Sequence, residues 1–402
     1  MAKKIYVGVN SAARRVKKAY IGVNGLARRI KKAYIGIGGV ARPCFSTEPE
    51  YWGETSQPLS TARIGVIGNS VGNYALFGGG YTYTSRNVVT SFKAVDVYND
   101  KLTIVSGVEL SQNNMECSAT ANNNYAFFYK GGNVGKLGKG DTWTFIYSID
   151  VFDKSLTRIT LDDEGGTSPE NSNAGCYSAG AASLNNYAIF AGGFHYYQLI
   201  SRERWDTDAV AAFNESLTKT VLEKMDSERS PSAAVTIGNY ALFINGSVYK
   251  HYQGGFVDFI CDMQAYDSSL TKIDVTYSNT WDSFGYVTVA GDYAVSCAST
   301  AISKSLTYQN ISSPFTHTYG GACISLDDYA LFALGYTENY STGVKNYTGD
   351  VEIINKSLTK TKGELLKSLR GSCSTATVGD YALFAGGEKD STFYDTVEAI
   401  TI

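Results

Sequence analysis

The chain has 402 residues, of which 44% are hydrophobic and 18% are charged, and it contains 41 Gly, 30 Tyr, 18 Phe and only 6 Pro. This composition is typical of many short strands joined by tight turns, and it excludes a coiled coil, a helical bundle and a disordered chain. No apolar run approaches the roughly 18 residues that a membrane-spanning helix needs, so we expect no membrane span. The first residues carry no signal-peptide hydrophobic region, and we therefore expect synthesis in a cytoplasm.

The formal net charge of −3 averages two regions of opposite sign. Residues 1–45 carry 11 Lys and Arg and no Asp or Glu, whereas residues 46–402 carry 24 basic and 38 acidic residues, a net charge of −14. Because net charge governs what a surface attracts rather than how it folds, the two regions are predicted to have different partners.

A repeat of 14 residues fills the basic region, with units that begin at Lys3, Lys17 and Lys31 and contain Asn-Ser, Asn-Gly or Gly-Gly. The Asn-Gly and Gly-Gly pairs suit two-residue hairpin turns, so the repeat predicts a meander of strands of about 12 residues. Adjacent cations place charge on both faces of such a strand, and the ribbon is expected to need oligomerisation, for example as a trimer, or docking on another protein. The side chains expected to anchor it are Lys17, Lys18, Arg28, Arg29, Lys31 and Lys32.

A longer repeat covers the rest of the chain. An Asn/Asp-Tyr-Ala landmark recurs seven times, usually followed by a glycine pair, then by a Val-Asp-Val-Tyr-like run and Ser-Leu-Thr. Repeats of about 50 residues with four strand-like runs indicate the blades of a β-propeller. The landmark tyrosines are Tyr74, Tyr125, Tyr187, Tyr240, Tyr293, Tyr329 and Tyr381.

These residues resemble the Kelch family, whose repeats also combine a strand ending in Gly-Gly with a Val-x-Val-Tyr-Asp-type strand. The sequence departs from the family where Ser-Leu-Thr replaces the Kelch Trp, and where Gly-Gly becomes Asn245-Gly246, Ala298-Ser299 or Leu334-Gly335. The resemblance implies an all-β, seven-bladed propeller over residues 46–402. The last blade lacks a Ser-Leu-Thr strand, so we expect residues 46–58 to supply its outer strand and close the ring.

Segments between the glycine pairs and the following strands are rich in Tyr, Trp, His and Arg, and the Kelch arrangement places them on one face. Aromatic side chains among Ser, Gly and Asn are typical of binding surfaces, and flat rings can stack on sugars. The alternative is that they only cap blades and fill loop packing. The candidate binding residues are Tyr81, Tyr83, Arg86, Trp143, His195, Tyr196, Tyr197, Arg204, Trp205, Tyr249, His251, Tyr252, Tyr336, Tyr340, Tyr347 and Tyr394.

No catalytic motif is present, so we expect neither an enzyme nor a cofactor. His195, His251 and His317 fall in different blades and lack metal-ligand spacing, and the seven Cys form no CxxC pair, so no metal site is expected. The Cys are instead expected to be reduced and buried in the core. A glycosidase stays open as an alternative, because two carboxylates can converge from distant blades without a local motif.

The basic region could contact nucleic acid, an anionic membrane or an acidic protein assembly. We expect no nucleic-acid role, since no reader motif accompanies the charge. The 14-residue unit resembles N-terminal segments of phage and prophage structural proteins of Gram-positive bacteria. That resemblance implies a virion protein, such as a tail-fibre-tip adhesin. Residues 1–45 would join it to tail or capsid proteins, and the propeller would bind a host-surface glycan or protein. A carbohydrate-active enzyme and a structural or decoration protein of the virion are the alternatives.

Overall fold

The computed structural model describes residues 6–9, 12–15, 19–23, 26–30, 32–37, 40–46, 48–85, 88–105, 107–134, 143–162, 178–196, 204–250, 256–275, 285–297, 300–311, 319–339 and 341–402. Every regular element in these ranges is a β-strand, as the sequence predicts. None of these residues belongs to a helix long and apolar enough to cross a bilayer.

Three two-stranded hairpins lie in the basic region. They pair Tyr6–Val9 with Ala12–Arg15, Ala19–Val23 with Leu26–Ile30, and Lys32–Ile37 with Val40–Ser46. The predicted turn residues, with Lys17, Lys18 and Lys31, lie outside the described residues, whereas Arg28, Arg29 and Lys32 are strand residues.

The described parts of these strands are four to seven residues long, and the residues that would join them into the predicted strands of about 12 lie outside the described residues. The described pairings stay within each hairpin. In the third hairpin the register shifts between Ala33 and Tyr34, beside Pro43, because proline has no N–H to donate to the ladder.

Seven antiparallel sheets form the predicted seven-bladed propeller, numbered here by their landmark tyrosines from blade 1 (Tyr74) to blade 7 (Tyr381). Each blade has four strands in order from the ring axis outward. The first strands are Ile67–Val71, Ser118–Ala121, Gly180–Leu184, Ala233–Ile237, Val287–Ala290, Ala322–Leu326 and Ser374–Val378. The second strands are Tyr74–Gly78, Tyr125–Val134, Tyr187–Ala191, Tyr240–Lys250, Tyr293–Ser296, Tyr329–Ala333 and Tyr381–Ala385.

The outer half of each blade consists of the third and fourth strands. The third strands are Val88–Asn99, Trp143–Asp153, Val210–Phe213, Phe256–Asp267, Thr300–Ser303, Val351–Asn355 and Val397–Thr401. The fourth strands are Ile104–Val105, Arg158–Asp162, Lys219–Val221, Lys272–Asp274, Tyr308–Asn310, Lys360–Lys362 and, for blade 7, Glu50–Glu54. Blade 1 also pairs Tyr81–Ser85 and Glu109–Asn114 with its third strand.

Neighbouring blades are joined by polar contacts near the axis and by apolar cores between the sheets. Ser70 Oγ of blade 1 donates to the Thr377 carbonyl of blade 7 at 2.8 Å, across the junction of the two ends of the ring. Between blades 2 and 3, Tyr129 stacks on Phe190 with ring centroids 4.1 Å apart. Since each blade buries both faces against its neighbours, no blade has a complete core of its own.

The Ser-Leu-Thr motif forms the turn between the third and fourth strands. In blade 2 the Asp153 carboxylate accepts hydrogen bonds from the N–H groups of Ser155 and Thr157, at 2.8 and 2.9 Å. Leu156 lies between them at a φ of 64°, and its side chain packs against the apolar core. A left-handed Leu is strained, and this packing offsets the strain. The equivalent leucines are Leu102, Leu217, Leu270, Leu306 and Leu358.

The ring therefore has two unlike faces. On one, which we call the turn face, short turns join the first to the second strand and the third to the fourth. On the other, the hairpin face, longer connections join the second to the third strand, except in blade 5, where only residues 297–299 separate them. Glu50 pairs with Thr401 and Glu54 with Glu398, so the chain enters blade 7 at the turn face and runs toward the hairpin face.

In six blades the second strand ends in a corner of two residues with positive φ, five and six residues after the landmark tyrosine, whereas the corresponding residues of blade 5, Ala298 and Ser299, lie outside the described residues. The second residue of each of these six corners is Gly. The first is Gly in three blades, and in the others Lys130, Asn245 or Leu334 takes its place. In blade 2 the corner is thus Lys130-Gly131 rather than the Gly131-Gly132 pair that the sequence suggests.

Fully buried arginines hold these corners. Arg63 Nε donates to the Gly79 carbonyl at 2.8 Å, and its Nη2 pairs with Asp96 at 2.7 Å. The Arg63 carbonyl accepts from the Gly387 N–H at 3.1 Å, so one residue links the corners of blades 1 and 7. Arg229 and Arg370 occupy the same position in blades 4 and 7, each 11 residues before the landmark tyrosine.

Replacing Arg63 by Met is predicted to lower the free energy of unfolding by about 3–5 kcal/mol, because it leaves the buried Asp96 carboxylate unpaired. Lys304→Ala, which breaks a solvent-exposed pair with Asp292, should change the free energy of unfolding far less. Urea denaturation followed by tryptophan fluorescence measures both. Equal shifts of the two midpoints would contradict the role assigned to the arginine.

The cysteines follow the expected burial only in part. Cys117 is buried, and Cys297, Cys323 and Cys373 are half-buried, but Cys261 is exposed. It lies on the third strand of blade 4, beyond the stretch Gln264–Tyr266 that the fourth strand covers. The prediction of a buried core residue is therefore wrong for Cys261, while Cys44 and Cys176 have no described side chain.

Among these thiols, iodoacetamide is predicted to modify Cys261 first in the native protein. Burial raises the pKa of the Cys117 and Cys323 thiols to about 12 and that of Cys373 to about 11, which suppresses the reactive thiolate. Peptide mass spectrometry over a time course resolves each site. Modification of Cys117 as fast as Cys261 would contradict the prediction.

Candidate ligand-binding site on the hairpin face

A cavity of about 500 Å³ opens on the hairpin face, where the connections of blades 6, 7 and 1 meet. Blade 6 contributes the hairpin of Tyr336–Asn339 and Val344–Tyr347, blade 7 the hairpin of Glu388–Lys389 and Thr392–Phe393, and blade 1 the strand Tyr81–Ser85. Its lining residues are Tyr83, Gly343, Val344, Lys345, Tyr347, Glu388, Asp390 and Ser391.

The blade corners determine which side chains border this cavity. The residue directly after the corner forms a β-bridge to the strand that enters its own blade, as in Ile64–Tyr81, Tyr319–Tyr336 and Gly371–Glu388. Tyr336, Glu388 and Tyr81 therefore occupy the same position in blades 6, 7 and 1. The ring presents a carboxylate between two phenols.

Tyr83 and Glu388 join the two ends of the ring at the cavity. The Tyr83 hydroxyl donates to Glu388 Oε2, and this hydrogen bond, together with burial, raises the pKa of Tyr83 above its usual value. The Tyr83 ring also makes an edge-to-face contact with Phe393, with centroids 4.9 Å apart. Blade 1 and blade 7 thus share one wall of the cavity.

The blade 6 wall is aromatic and cationic. Tyr336 lies between Tyr319 and Tyr347, with ring centroids 5.7 and 5.0 Å away. Lys345 Nζ lies 4.5 Å from the Tyr336 ring centroid, and Lys389 Nζ lies 5.7 Å from that of Tyr347. Such cation–π contacts fix the orientation of both rings.

Tyr81 packs against a glycine that permits its close approach. A Cβ on Gly65 would lie 2.7 Å from the Tyr81 ring, and Gly65 has a φ of 62°. Burial raises the pKa of Tyr81 to about 12, and the charges of Glu116 and Glu388 contribute in the same direction. Tyr81 therefore remains a neutral phenol beside the cavity at physiological pH.

This arrangement supplies flat aromatic surface, hydrogen-bond donors and hydrogen-bond acceptors around one opening. Lys345 and Ser391 can donate, Glu388 and Asp390 can accept, and the half-buried Tyr83 and Tyr347 expose ring surface. A few convergent polar groups among aromatic side chains are typical of ligand sites. In the part of the chain that the structure describes, no group of three or more His, Cys, Asp or Glu could hold a metal ion.

Of the predicted binding residues, the structure brings five to this region. Tyr83 and Tyr347 line the cavity, and Tyr81 and Tyr336 adjoin it. Tyr394 lies behind it, its ring 6.0 Å from the Arg370 guanidinium carbon. Several of these residues belong to short β-strands rather than to the irregular loops that the sequence suggests, because the connections continue the antiparallel pairing beyond the ring.

The other predicted residues belong to blades 2, 3 and 4 or lie outside the described residues. In blade 3, His195 pairs with Trp205 and Tyr196 with Arg204 in a separate hairpin. Trp143 begins the third strand of blade 2, and Tyr249 lies on the second strand of blade 4. Those outside the described residues are Arg86, Tyr197, His251, Tyr252 and Tyr340.

Sequence reasoning missed Lys345, Glu388, Asp390 and Ser391, because it searched for aromatic residues. A positional signal exists for Glu388, which follows its glycine pair as Tyr81 follows Gly79-Gly80. Lys345, Asp390 and Ser391 have no such signal. Their place in the cavity depends on hairpin geometry.

Fold and cavity together define a seven-bladed β-propeller with a ligand-sized cavity on its hairpin face. The chain is similar to the solved structure titled "Structure of YjhT", with a TM-score of 0.51 and 14% sequence identity over 86% of this chain and 96% of that chain. At this identity the similarity shows the fold alone. No known protein-family profile and no curated protein matches the sequence.

Gly65→Ala is predicted to destabilise the protein more than Gly107→Ala. Both glycines have positive φ, so each substitution should cost about 1 kcal/mol in backbone strain. A Cβ on Gly107 meets no atom within 4 Å, whereas one on Gly65 clashes with the Tyr81 ring and should cost about 1–3 kcal/mol more. Denaturation midpoints measure the difference. Equal midpoints would show that Tyr81 does not pack on Gly65 in solution.

Proposed function

We propose that the protein is a virion adhesin, at the tip of a phage or prophage tail fibre or elsewhere on the tail. Its propeller binds a host-surface glycan or protein through the cavity on the hairpin face. Residues 1–45 attach it to other virion proteins, as a homo-oligomer. The protein is made in the host cytoplasm and acts as part of the virion.

The cavity is the observation that carries this proposal. Tyr83 and Tyr347 offer ring faces on which a pyranose can stack, and Lys345, Glu388 and Asp390 offer donors and acceptors for its hydroxyl groups. Aromatic side chains combined with adaptable polar groups are typical of surfaces that recognise external ligands.

The path of the chain supports separate roles for the N-terminal region in attachment and for the propeller in binding. Glu50 enters blade 7 at the turn face, whereas the cavity opens on the hairpin face. A protein held through its N-terminal residues would therefore present its cavity away from the point of attachment. An adhesin needs this arrangement.

The distribution of charge supports the choice of partners. The propeller region has a net charge of −14, which disfavours anionic polymers and favours a neutral glycan or a protein. The N-terminal region, with 11 cations and no acid, is suited to an acidic surface of a virion assembly.

Replacing Tyr347 by Ala is predicted to weaken glycan binding about 30-fold, or about 2 kcal/mol, as expected for an aromatic residue at the centre of a site. The full-length protein would be screened on a glycan array and on host envelope fractions, and a glycan that binds would be titrated against the variant. Tyr147→Ala is the matched control, since Tyr147 is exposed on the third strand of blade 2 and does not line the cavity.

Binding that survives Tyr347→Ala would place the ligand elsewhere on the propeller. Absence of binding to every glycan and envelope fraction would overturn the adhesin proposal and favour a structural role in the virion. In that case, removal of residues 46–402 from the virion would leave adsorption to the host unchanged.

A carbohydrate-active enzyme is the second candidate, because Glu388 and Asp390 line the same cavity and paired carboxylates perform glycoside hydrolysis. The test is product release from any glycan that binds. Turnover that Glu388→Gln abolishes while binding persists would establish the enzyme. Binding without turnover would support the adhesin.

A further inference from the structure

Arg370 lies behind the cavity and contacts both of its walls. The Arg370 carbonyl accepts a hydrogen bond from the Gly335 N–H at 3.1 Å, at the blade 6 corner that leads into Tyr336. The Arg370 guanidinium donates through Nε to the Gly386 carbonyl at 2.7 Å, at the blade 7 corner that leads into Glu388. The relative position of the two walls thus depends on one fully buried residue, which contacts blade 6 through its carbonyl and blade 7 through its side chain.

Arg370 is in turn held by a carboxylate that belongs to the closing sheet. Its Nη1 pairs with Glu398 Oε2 at 2.6 Å, and both side chains are almost completely buried. Glu398 Oε1 accepts hydrogen bonds from the Lys367 N–H at 2.7 Å and from the Tyr51 hydroxyl at 3.0 Å. Tyr51 lies on Glu50–Glu54, the strand that closes the ring.

A continuous set of buried and part-buried polar contacts therefore runs from the closing strand to the corners behind the cavity. Buried networks of this kind are rigid only when every member is satisfied, because an unpaired charge in a low-dielectric interior is costly. The strand at one end of the network is also the one that continues into the N-terminal region.

We propose that Arg370 is a positioning residue for the cavity and that the Tyr51–Glu398 hydrogen bond makes its position depend on the closing strand. The predicted effect on ligand affinity rests on the proposed function, because it requires that a ligand binds in the cavity. Its consequence is that closure of the ring and ligand binding are coupled. By thermodynamic reciprocity, a ligand in the cavity stabilises the closed ring as much as closure strengthens binding.

Cys373 offers a readout that needs no ligand. Its Sγ lies 3.2 Å from the Gly386 carbonyl, the group that Arg370 Nε also contacts. Burial raises the pKa of this half-buried thiol to about 11, which slows its alkylation, so an alkylation rate above that of wild type reports opening of the corner.

The test compares two single-hydroxyl deletions in the full-length chain, Tyr51→Phe and Tyr266→Phe. Each phenol donates one part-buried hydrogen bond, Tyr51 to Glu398 at 3.0 Å and Tyr266 to the Glu223 carbonyl at 2.8 Å, but Tyr266 belongs to blade 4. The deletions are mild enough that both variants should fold, with similar shifts of the urea midpoint.

Tyr51→Phe should raise the iodoacetamide alkylation rate of Cys373 about fivefold over wild type, and Tyr266→Phe should leave it unchanged. Cys117, buried between other blades, provides the internal reference. With a glycan from the array as the probe, Tyr51→Phe should also weaken binding about fivefold.

Equal alkylation rates of Cys373 in the two variants would overturn the coupling. A faster Cys373 with unchanged glycan affinity would overturn the positioning role of Arg370. If wild-type protein binds no glycan or envelope fraction, the proposed function fails, and the Cys373 comparison still decides whether the closing strand controls the corner.

Discussion

The corner that ends each second strand is the constraint on which the ring depends. Two successive residues with positive φ turn the chain there, and their carbonyl and N–H groups face inward, where they must be satisfied. Arg63 and Arg370 satisfy carbonyls of their own blade with the side chain and an N–H of the preceding blade with the backbone. Blades are thus joined by hydrogen bonds that neither blade can complete alone.

Burying an arginine in this position requires a matched acid. Asp96 and Glu398 supply it from the third strands of blades 1 and 7. In blade 2, Asn114 takes the place of the arginine, and its carbonyl still accepts the Gly80 N–H at 2.9 Å. The Asp150 carboxylate there accepts from Ser111 and Thr160 instead. Blade 2 thus keeps the backbone hydrogen bond to its neighbour although it lacks the arginine–carboxylate ion pair. The backbone hydrogen bond is therefore the more general requirement.

The sequence predicts the blades well, because they are specified by short-range chemistry. The landmark around each tyrosine and the Ser-Leu-Thr turn are motifs of a few consecutive residues. The missing strand of blade 7 is recognised because the Ser-Leu-Thr motif is absent after its third strand. The corner arginines could not be predicted in the same way. Arg63 lies in a polar stretch that is typical of an exposed loop. Its partners Phe77 and Asp96 are 14 and 33 residues away in the sequence, so no local pattern indicates that the side chain is buried. A search for Arg at a fixed distance before each landmark would have found three of them.

The cavity was predictable only as a concentration of aromatic residues on one face. Tyr83 and Tyr347 belong to that concentration, and the face that the resemblance to Kelch repeats implies for it is the one on which the cavity opens. Glu388 and Asp390 were not predicted as binding residues, because a carboxylate in a connecting segment is usually solvated. Which of the aromatic segments converge depends on blade order around the ring. Blades 6 and 7 follow one another in the chain, whereas blades 7 and 1 become neighbours only when the ring closes.

The positions of the corners and of the hairpins separate the parts of each blade that the ring constrains from the parts that it leaves free to vary. Each described corner has a Gly at its second position, and the corners that contain a buried arginine also pair it with an acid. The hairpin that follows has no part in these features, and its length differs from the two-residue strands of blade 7 to the extended ribbon of blade 4. Because the hairpins carry the cavity and the corners carry the ring, recognition can change by substitution in the hairpins while the propeller is conserved. Arg63 and Arg370 are the exceptions, since Arg63 contacts the corners of blades 1 and 7 and Arg370 those of blades 6 and 7, all of which lead into the cavity. A substitution at either residue alters ring and site together.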